Sequence, residues 1–421
     1  MLDGEKLDAA VAAAAEDAFG FLERLVAEPS TVGNEKGALT VFADELTDLG
    51  FAVRWLELPA DIGEDPRAGV PQQTSGRRVQ VVGDLGPATG RSLLLNGHID
   101  VVPAQSPDRW TSPPFSPRRD GCRLYGRGAG DMKAGFAMGV LALRALLAVD
   151  RDAITGPLSF LAAIEEECTG NGTLAAARDG VLADAVVLLE PTGLDLLLGG
   201  VGILWCDIEV DGIPAHAESA HEAVNPVDLV YRLVTGLRGW AEGLAASHPD
   251  PTQAEVRSPY NLNVGQIAAG DWPSSVPTSA RVRLRIGYPR RWTPDEAERE
   301  VRRVVNDLTE QHGGFPAPPR LRLSGLRAAG YHLDQGHELV RAMVAAHREA
   351  HGAEPSAYSL GSTTDARTYL NHFGVPALCY GPEATDIHGV DEWVDLGSVV
   401  AGARTLARFV AQWYQPGEVG A

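Results

Sequence analysis

The sequence predicts an α/β protein: a mostly parallel sheet with helices on both faces, interrupted by an inserted α+β domain. Three observations lead there. Four short apolar runs each break off in polar residues, as strands buried on both faces of a parallel sheet do. A Gly/Ala/Leu-rich segment, residues 132–149, lies between the first two runs and gives a strand–helix–strand order. Between residues 203 and 325 the pattern changes to alternation of apolar and polar residues, the mark of half-exposed antiparallel strands. The expected division is 1–202 and 326–421 for the main domain and 203–325 for the insertion. A length of 421 residues is ample for two or three domains.

The elements follow in order. Leu7, Val11, Ala14, Ala18, Phe21, Leu22 and Leu25 recur at helical spacing and predict a helix over 7–27. A second helix is expected over 36–49, closed by Gly50. Residues 59–78, with several Pro, Gly and Gln, read as an exposed loop. The first apolar run, 92–96, leads into Gly97-His98-Ile99-Asp100. The second, 158–164, leads into Glu165-Glu166-Glu167. The third, 185–189, leads into Glu190-Pro191-Thr192, and the fourth, 375–380, leads toward His388. In the insertion, 203–210 and 281–286 alternate as strands, and helices are expected over about 225–245 and 294–312. A further helix is expected around 337–350.

Composition excludes several classes. Hydrophobic residues make up 44% and charged residues 22%, ordinary for a globular protein. Thirty-six Lys and Arg against 56 Asp and Glu give a net charge of −20. That excess argues against nucleic acid and anionic membrane as partners, both being polyanions. It leaves room for a local basic pocket and an anionic small molecule. The four cysteines, Cys122, Cys168, Cys206 and Cys379, are scattered without a C-x-x-C pair, so no disulfide framework is expected. The first residues lack the basic region and apolar run of a signal peptide. No apolar run is expected to reach the ~18 residues of a membrane span. The expected location is the cytoplasm.

Sites in open α/β sheets form beyond the carboxyl ends of the strands. That is where His98, Asp131, Glu167, Glu190 and His388 are expected. Imidazole with carboxylate is the donor set of Zn²⁺ and its neighbours Co²⁺ and Mn²⁺. Two ions ~3.5–4 Å apart need a shared ligand, and a carboxylate can offer one oxygen to each. Asp131 falls where a Gly-rich turn opens a helix, which suits that task. His98 and Asp100 are two apart in extended chain and emerge on one face. Asp100 can then accept the second ring N–H of His98. Three consecutive acids after an apolar strand would repel one another in a plain core. A nearby cation pair removes that cost and lets one acid bind metal while its neighbour moves protons. Glu165 reads as structural, and Cys168 as a small packing residue. No G-x-S-x-G elbow is present, and Asp131 fills the last glycine position of a would-be dinucleotide loop at 126–131.

These pieces resemble the dinuclear-zinc acyl-amino-acid hydrolases of the M20 metallopeptidase group. That group includes acetylornithine deacetylase, succinyl-diaminopimelate desuccinylase, aminoacylase and glutamate carboxypeptidase. The matching segments are Gly97-His98-Ile99-Asp100, Gly126-Arg127-Gly128-Ala129-Gly130-Asp131-Met132-Lys133 and Glu165-Glu166-Glu167-Cys168-Thr169-Gly170. Glu190-Pro191-Thr192, Gly361-Ser362-Thr363-Thr364-Asp365-Ala366-Arg367 and His388-Gly389-Val390-Asp391-Glu392-Trp393 complete the set, in family order. The resemblance implies two zinc ions, with cobalt or manganese as substitutes. It implies that His98, Asp131 and Glu190 hold one ion, and Asp131, Glu167 and His388 the other. It makes Glu166 the general base, Asp100 the partner of the first histidine, and the Asp131–Met132 peptide cis. Gly212-Ile213-Pro214-Ala215-His216 resembles a stretch whose histidine reaches a partner subunit's site and stabilises the oxyanion. Asn263 and Arg285 fall near the expected substrate carboxylate, and Arg367 is assigned to that carboxylate or to scaffolding. Where the family often has Asn before Val-Pro, this chain has Ser275-Val276-Pro277.

The implied activity is removal of an acyl group from an N-acyl amino acid by attack of a metal-bridging hydroxide. A dipeptidase or carboxypeptidase using the same site is the alternative. A non-catalytic binding protein that keeps the fold is a third reading. The inserted domain is expected to act as a lid and to form a homodimer.

Overall fold

The computed structural model describes residues 3–74 and 76–415. The chain opens with helices α1 (Gly4–Ala27) and α2 (Lys36–Asp48). Asp3 caps α1 by accepting the N–H groups of Glu5 at 3.2 Å and Lys6 at 3.3 Å. Strands β1 (Ala52–Glu57), β2 (Val79–Leu85) and β3 (Leu93–His98) follow. Next come two short strands, β4 (Arg118–Asp120) and β5 (Arg123–Tyr125), and helix α3 (Ala134–Val149). Strand β6 (Leu158–Ala163), helix α4 (Asn171–Arg178), β7 (Val186–Leu188) and β8 (Leu196–Gly200) complete the first segment.

A second sheet then interrupts the first. Its elements are β9 (Gly202–Asp211), α5 (Pro226–Ser247), β10 (Leu262–Ala269), β11 (Ser279–Tyr288), α6 (Pro294–His312) and β12 (Arg320–Ala328). The chain returns through β13 (Tyr331–His332), α7 (Glu338–His351), β14 (Ala357–Leu360), the single turn α8 (Ala366–Thr368) and β15 (Ala377–Cys379). It closes with β16 (Ala384–Thr385), β17 (Trp393–Asp395) and α9 (Leu396–Trp413).

The main sheet runs β1-β2-β6-β3-β7-β15-β8-β13, with β14 paired to β8. Its centre, β6-β3-β7-β15, is parallel throughout. Antiparallel pairs lie toward both edges. Alternation along β3 explains why both faces are covered. Leu93 and Leu95 join a core with Phe21 of α1, Phe136 of α3 and Phe409 of α9. Leu94 points the other way, into a core with Ala176 and Ala177 of α4 and Tyr369. The mostly parallel sheet clothed by helices on both faces is therefore present.

One expectation fails here. The stretch 129–149 is long and apolar enough to cross a membrane, although no such run was expected. Its apolarity has another use. Most of the stretch is buried inside the protein, where α3 packs between the sheet, α1 and α9. A helix apolar all round is what such a position demands.

The second sheet, β10-β11-β9-β12, is antiparallel. Along β9, Leu204, Cys206, Ile208 and Val210 are buried in a core shared with α5 and α6. Trp205, Asp207 and Glu209 occupy the opposite face and are only half-buried. A small third sheet, β16-β17-β5-β4, ties the chain on either side of His388 to the strands just before the Gly-rich turn.

Candidate metal centre

His98 is the last residue of β3, and Glu165–Glu167 follow β6 after Ile164. Glu190 lies just past β7. The parallel register sets His98 opposite Ala163, so these side chains emerge at one end of the sheet. Asp131 comes from the turn that opens α3, and the Asp131–Met132 peptide is cis. His388 lies in the segment between β16 and β17, with φ of 63°.

These donors form two half-sites around one carboxylate. Asp131 Oδ1 lies 3.1 Å from His98 Nε2, and Asp131 Oδ2 lies 3.2 Å from His388 Nε2. Glu190 Oε2 is 3.8 Å from His98 Nε2, and Glu167 Oε1 is 3.0 Å from His388 Nε2. Two ligands each ~2.0–2.1 Å from a tetrahedral ion stand ~3.3 Å apart, so these spacings suit metal coordination. Donor atoms of His98, Asp131 and Glu167 also lie within 4.8 Å of one another.

Electrostatics make the same point. Burial pushes the Glu190 carboxyl up to about 8; the His98 charge opposes this and the Asp131 charge adds to it. Burial likewise drives Glu166 well above the carboxylate range, against His98 and with the help of Asp365, Glu190 and Glu167. Burial alone would lower the histidines. Bonds to Asp131 and the surrounding carboxylates outweigh it, raising His98 well above its ordinary value and His388 to about 11. Positive charge on the imidazole of His98 opposes the penalty of burying these acids. Divalent cations would do this better, leaving imidazoles neutral and carboxylates ionised, as coordination requires. The donor set therefore fits a pair of metal ions.

The supporting bonds differ in one detail from the sequence reading. His98 Nδ1 donates to the backbone carbonyl of Asp100 at 2.8 Å, while the Asp100 carboxylate stands 3.8 Å away. That carboxylate instead accepts the backbone N–H groups of Glu166 and Glu167, each at 3.2 Å. Asp100 thus holds the turn that aims both residues. Glu165 faces away from the donors. It accepts from Arg78 Nη1 at 2.7 Å and from Thr169 Oγ1 at 2.7 Å, and its φ is 64°.

Sequence reasoning missed the role of Glu392. Its fully buried carboxylate accepts the N–H groups of Gly128 at 3.0 Å, Gly130 at 2.8 Å and Asp131 at 2.9 Å, and it pairs with Arg127. Arg127 Nη2 also donates to the Gly389 carbonyl at 2.8 Å. One buried ion pair therefore joins the turn carrying Asp131 to the segment carrying His388. The available signal was an opposite charge inside each of the two motifs.

A cavity of about 640 Å³ opens over the centre. His98, Asp131, Glu166, Glu167, Glu190 and His388 line it from the main sheet, and Asn263 and Arg285 from the second sheet. Asn263 and Arg285 are direct cross-strand neighbours on β10 and β11. Arg285 donates to the Gly361 carbonyl at 3.1 Å, to Ser362 Oγ at 2.9 Å and to the Asn261 amide oxygen. Burial draws its pKa down to about 10, and among the described residues its hydrogen-bond partners are all neutral.

Arg367 does not line this cavity. It is buried behind Glu166, with Nη1 3.8 Å from Glu166 Oε1 and Nη2 3.4 Å from Asp365 Oδ1. His216 is exposed and outside the cavity, its Nδ1 accepting the Glu218 N–H at 3.2 Å.

Comparison with known proteins agrees with this geometry. Residues 94–412 match the profile of Peptidase family M20/M25/M40. The chain is 30% identical to succinyl-diaminopimelate desuccinylase from Methylobacterium sp. (strain 4-46), covering 93% of this chain and 94% of the relative. Identity to the desuccinylase of Variovorax paradoxus (strain S110) is 29%, covering 93% and 98%. Among solved structures, the di-peptidase Dug1p of Saccharomyces cerevisiae superposes with a TM-score of 0.83 at 15% identity, covering 99% of both chains. Human carnosine dipeptidase 1 gives 0.76 at 17% identity, covering 98% of this chain and 100% of the other. The Bacillus subtilis YXEP protein, described as a dinuclear metal binding peptidase, gives 0.59 at 15% identity, covering 96% and 99%.

Proposed function

The chain belongs to Peptidase family M20/M25/M40, and on that premise we propose that it is a metal-dependent amidohydrolase that removes the acyl group from an N-acyl amino acid. The division of the Asp131 carboxylate between His98 and His388 carries this reading. A carboxylate so placed would serve as the shared ligand of a pair of ions. The pair is assigned as zinc, with cobalt or manganese as alternatives. His98, Asp131 and Glu190 would hold one ion, and Asp131, Glu167 and His388 the other. When bound, such ions polarise the scissile carbonyl and bring the pKa of a bound water toward ~7.

The chain's own residues supply the rest. Glu166 lines the same cavity as the candidate donors and acts as the general base. It takes a proton from water onto a carboxylate oxygen and returns it to the leaving nitrogen. A carboxylate whose charge is disfavoured by burial is a better proton acceptor. Asp100 fixes Glu166 and Glu167 through their backbone N–H groups. Arg285, beside Asn263, takes the substrate carboxylate. Arg367 is assigned to holding Glu166 and Asp365 from behind.

His216 is assigned to the site of a partner subunit, in a homodimer formed through the inserted segment 203–325, where it would stabilise the oxyanion. Ile267 and Trp272, which are 51% and 68% exposed in that segment, support an interface there. Residues 1–202 and 326–421 form the catalytic part in this reading, and the enzyme works in the cytoplasm. Cleavage of dipeptides at the same centre is the alternative; the desuccinylase relatives at 29% and 30% identity favour deacylation.

Metal analysis combined with a substrate panel tests the proposal. The expected result is two ions per chain and chelator-sensitive hydrolysis of N-acyl amino acids. Glu166→Ala should lower kcat by a factor of about 10²–10⁴ while metal content persists. A chain that binds no metal and cleaves no panel member would be a binding protein.

A further inference from the structure

The charges lining the cavity narrow the substrate. Its acidic lining residues are Asp131, Glu166, Glu167 and Glu190, each already a metal donor or the base. Among the described residues no other carboxylate lines it. Two guanidiniums do. That of Arg283 is taken, with Nε and Nη2 bonded to the two oxygens of Asp207 at 2.7 Å and 2.9 Å. That of Arg285 has only neutral acceptors. A buried cation of this kind gains from one carboxylate, and the cavity offers one such place. An ammonium entering the cavity would shed its hydration with no anion left to replace it.

Beside Arg285 the wall turns apolar. The strand register sets Asn263, Arg285 and Trp205 in one row across β10, β11 and β9. Directly opposed residues in such a row stand about 5 Å apart, the span between the carboxylate and side chain of an amino acid. Trp205 packs on Gly325, where a Cβ would come within 2.5 Å of the indole. Ile203 and Leu326 extend this surface, and Leu360 and Tyr358 also line the cavity.

We propose that the preferred substrate is an N-acyl amino acid with one free carboxylate, a bulky apolar or aromatic side chain, and no free ammonium. The proposal rests on the deacylase reading above and narrows it. It sets this chain apart from hydrolases of N-succinyl-diaminopimelate, a molecule with three carboxylates and an ammonium.

The test measures kcat/KM of the metal-loaded enzyme on N-acetyl-L-phenylalanine, N-acetyl-L-leucine, N-acetyl-L-ornithine, N-succinyl-L,L-diaminopimelate and L-leucyl-L-leucine. The first two should exceed the others by about 100-fold, as expected when the disfavoured substrate leaves a charge unpaired. Arg285→Met should raise KM for N-acetyl-L-phenylalanine about 10-fold or more with a smaller change in kcat. Tyr358→Asp, which places an anion on the apolar wall, should shift the preference toward N-acetyl-L-ornithine by about 10-fold. Calorimetric titration of Glu166→Gln gives a readout without turnover: N-acetyl-L-phenylalanine should bind at least about 10-fold tighter than N-acetyl-L-ornithine. Equal or faster cleavage of the ornithine, diaminopimelate or dipeptide substrates overturns this inference and leaves the hydrolase reading standing. Absence of chelator-sensitive hydrolysis across the whole panel overturns both.

Discussion

The carboxylate of Glu392 accepts the backbone N–H of Asp131 at 2.9 Å, across 261 positions of sequence. It is the fixed point of the turn that presents Asp131, the bridge in the proposed centre. Glu392→Gln would leave the Arg127 guanidinium buried without its counter-charge, at a cost of about 3–5 kcal/mol. It would also loosen Asp131 and weaken metal binding about 10–100-fold, as loss of an outer-shell partner does. Denaturant unfolding and competitive metal titration on the same variant measure the two effects. Unchanged metal affinity would show that the turn holds its shape without Glu392.

Gly135 marks where α3 backs onto the strand end bearing Glu190. A Cβ there would lie 2.0 Å from the Leu189 carbonyl oxygen and 2.9 Å from Leu189 Cβ. The neighbour is backbone and cannot swing aside. Gly135→Ala should therefore push α3 off the sheet, destabilise the fold by about 1–3 kcal/mol and separate Asp131 from Glu190. Thermal unfolding with metal titration reads both; wild-type values in each would mean the contact is soft.

How much of this was legible in sequence follows from the physics of each part. The central strands were visible because burial on both faces leaves an uninterrupted apolar run, and three of the four runs lead within a few residues to a candidate donor. β10 was not, because six of its eight residues are exposed and no apolar alternation survives. β1 was hidden for a related reason: of its six residues only Leu56 is buried. The small sheet β16-β17-β5-β4 consists of strands of two or three residues, shorter than any periodicity can register. All five donors stood in motifs, so their convergence was foreseeable. Glu392 was not foreseen, because its value lies in backbone N–H groups that no side-chain pattern reports. The carboxylate of Asp100 was assigned to His98 from spacing and resemblance, neither of which reveals that the chain turns to offer the carbonyl instead.

Away from the centre, His347 of α7 is buried beside Tyr380 and His351. His347 Nδ1 lies 2.9 Å from the Tyr380 hydroxyl, which donates to Thr405 at 3.0 Å. Burial, then the charge of His351, lowers the His347 pKa to about 4. The unfolded chain binds this proton near pH 6.5 and the folded chain only near 4. Stability is therefore lost as pH falls through that window and levels off below it. Between pH 7 and 5, His347→Gln should lose less stability than the wild type, by at most about 2 kcal/mol. Parallel slopes in urea melts across that range would remove the assignment.

The division of Asp131 between two histidines predicts unequal consequences for unequal ligands. His388 reaches only Oδ2 of Asp131 and Glu167, so His388→Ala should empty one half-site and spare the other. Asp131 faces both histidines and in the proposed centre would serve both ions, and Asp131→Asn replaces one charged oxygen with an amide that cannot coordinate as a carboxylate does. Plasma emission analysis should find about one ion per chain in the first variant and well below one in the second, against two in the wild type. Circular dichroism that matches the wild type would exclude misfolding as the cause. One ion remaining in both variants would mean that Asp131 serves a single half-site, and the dinuclear arrangement would fail with it.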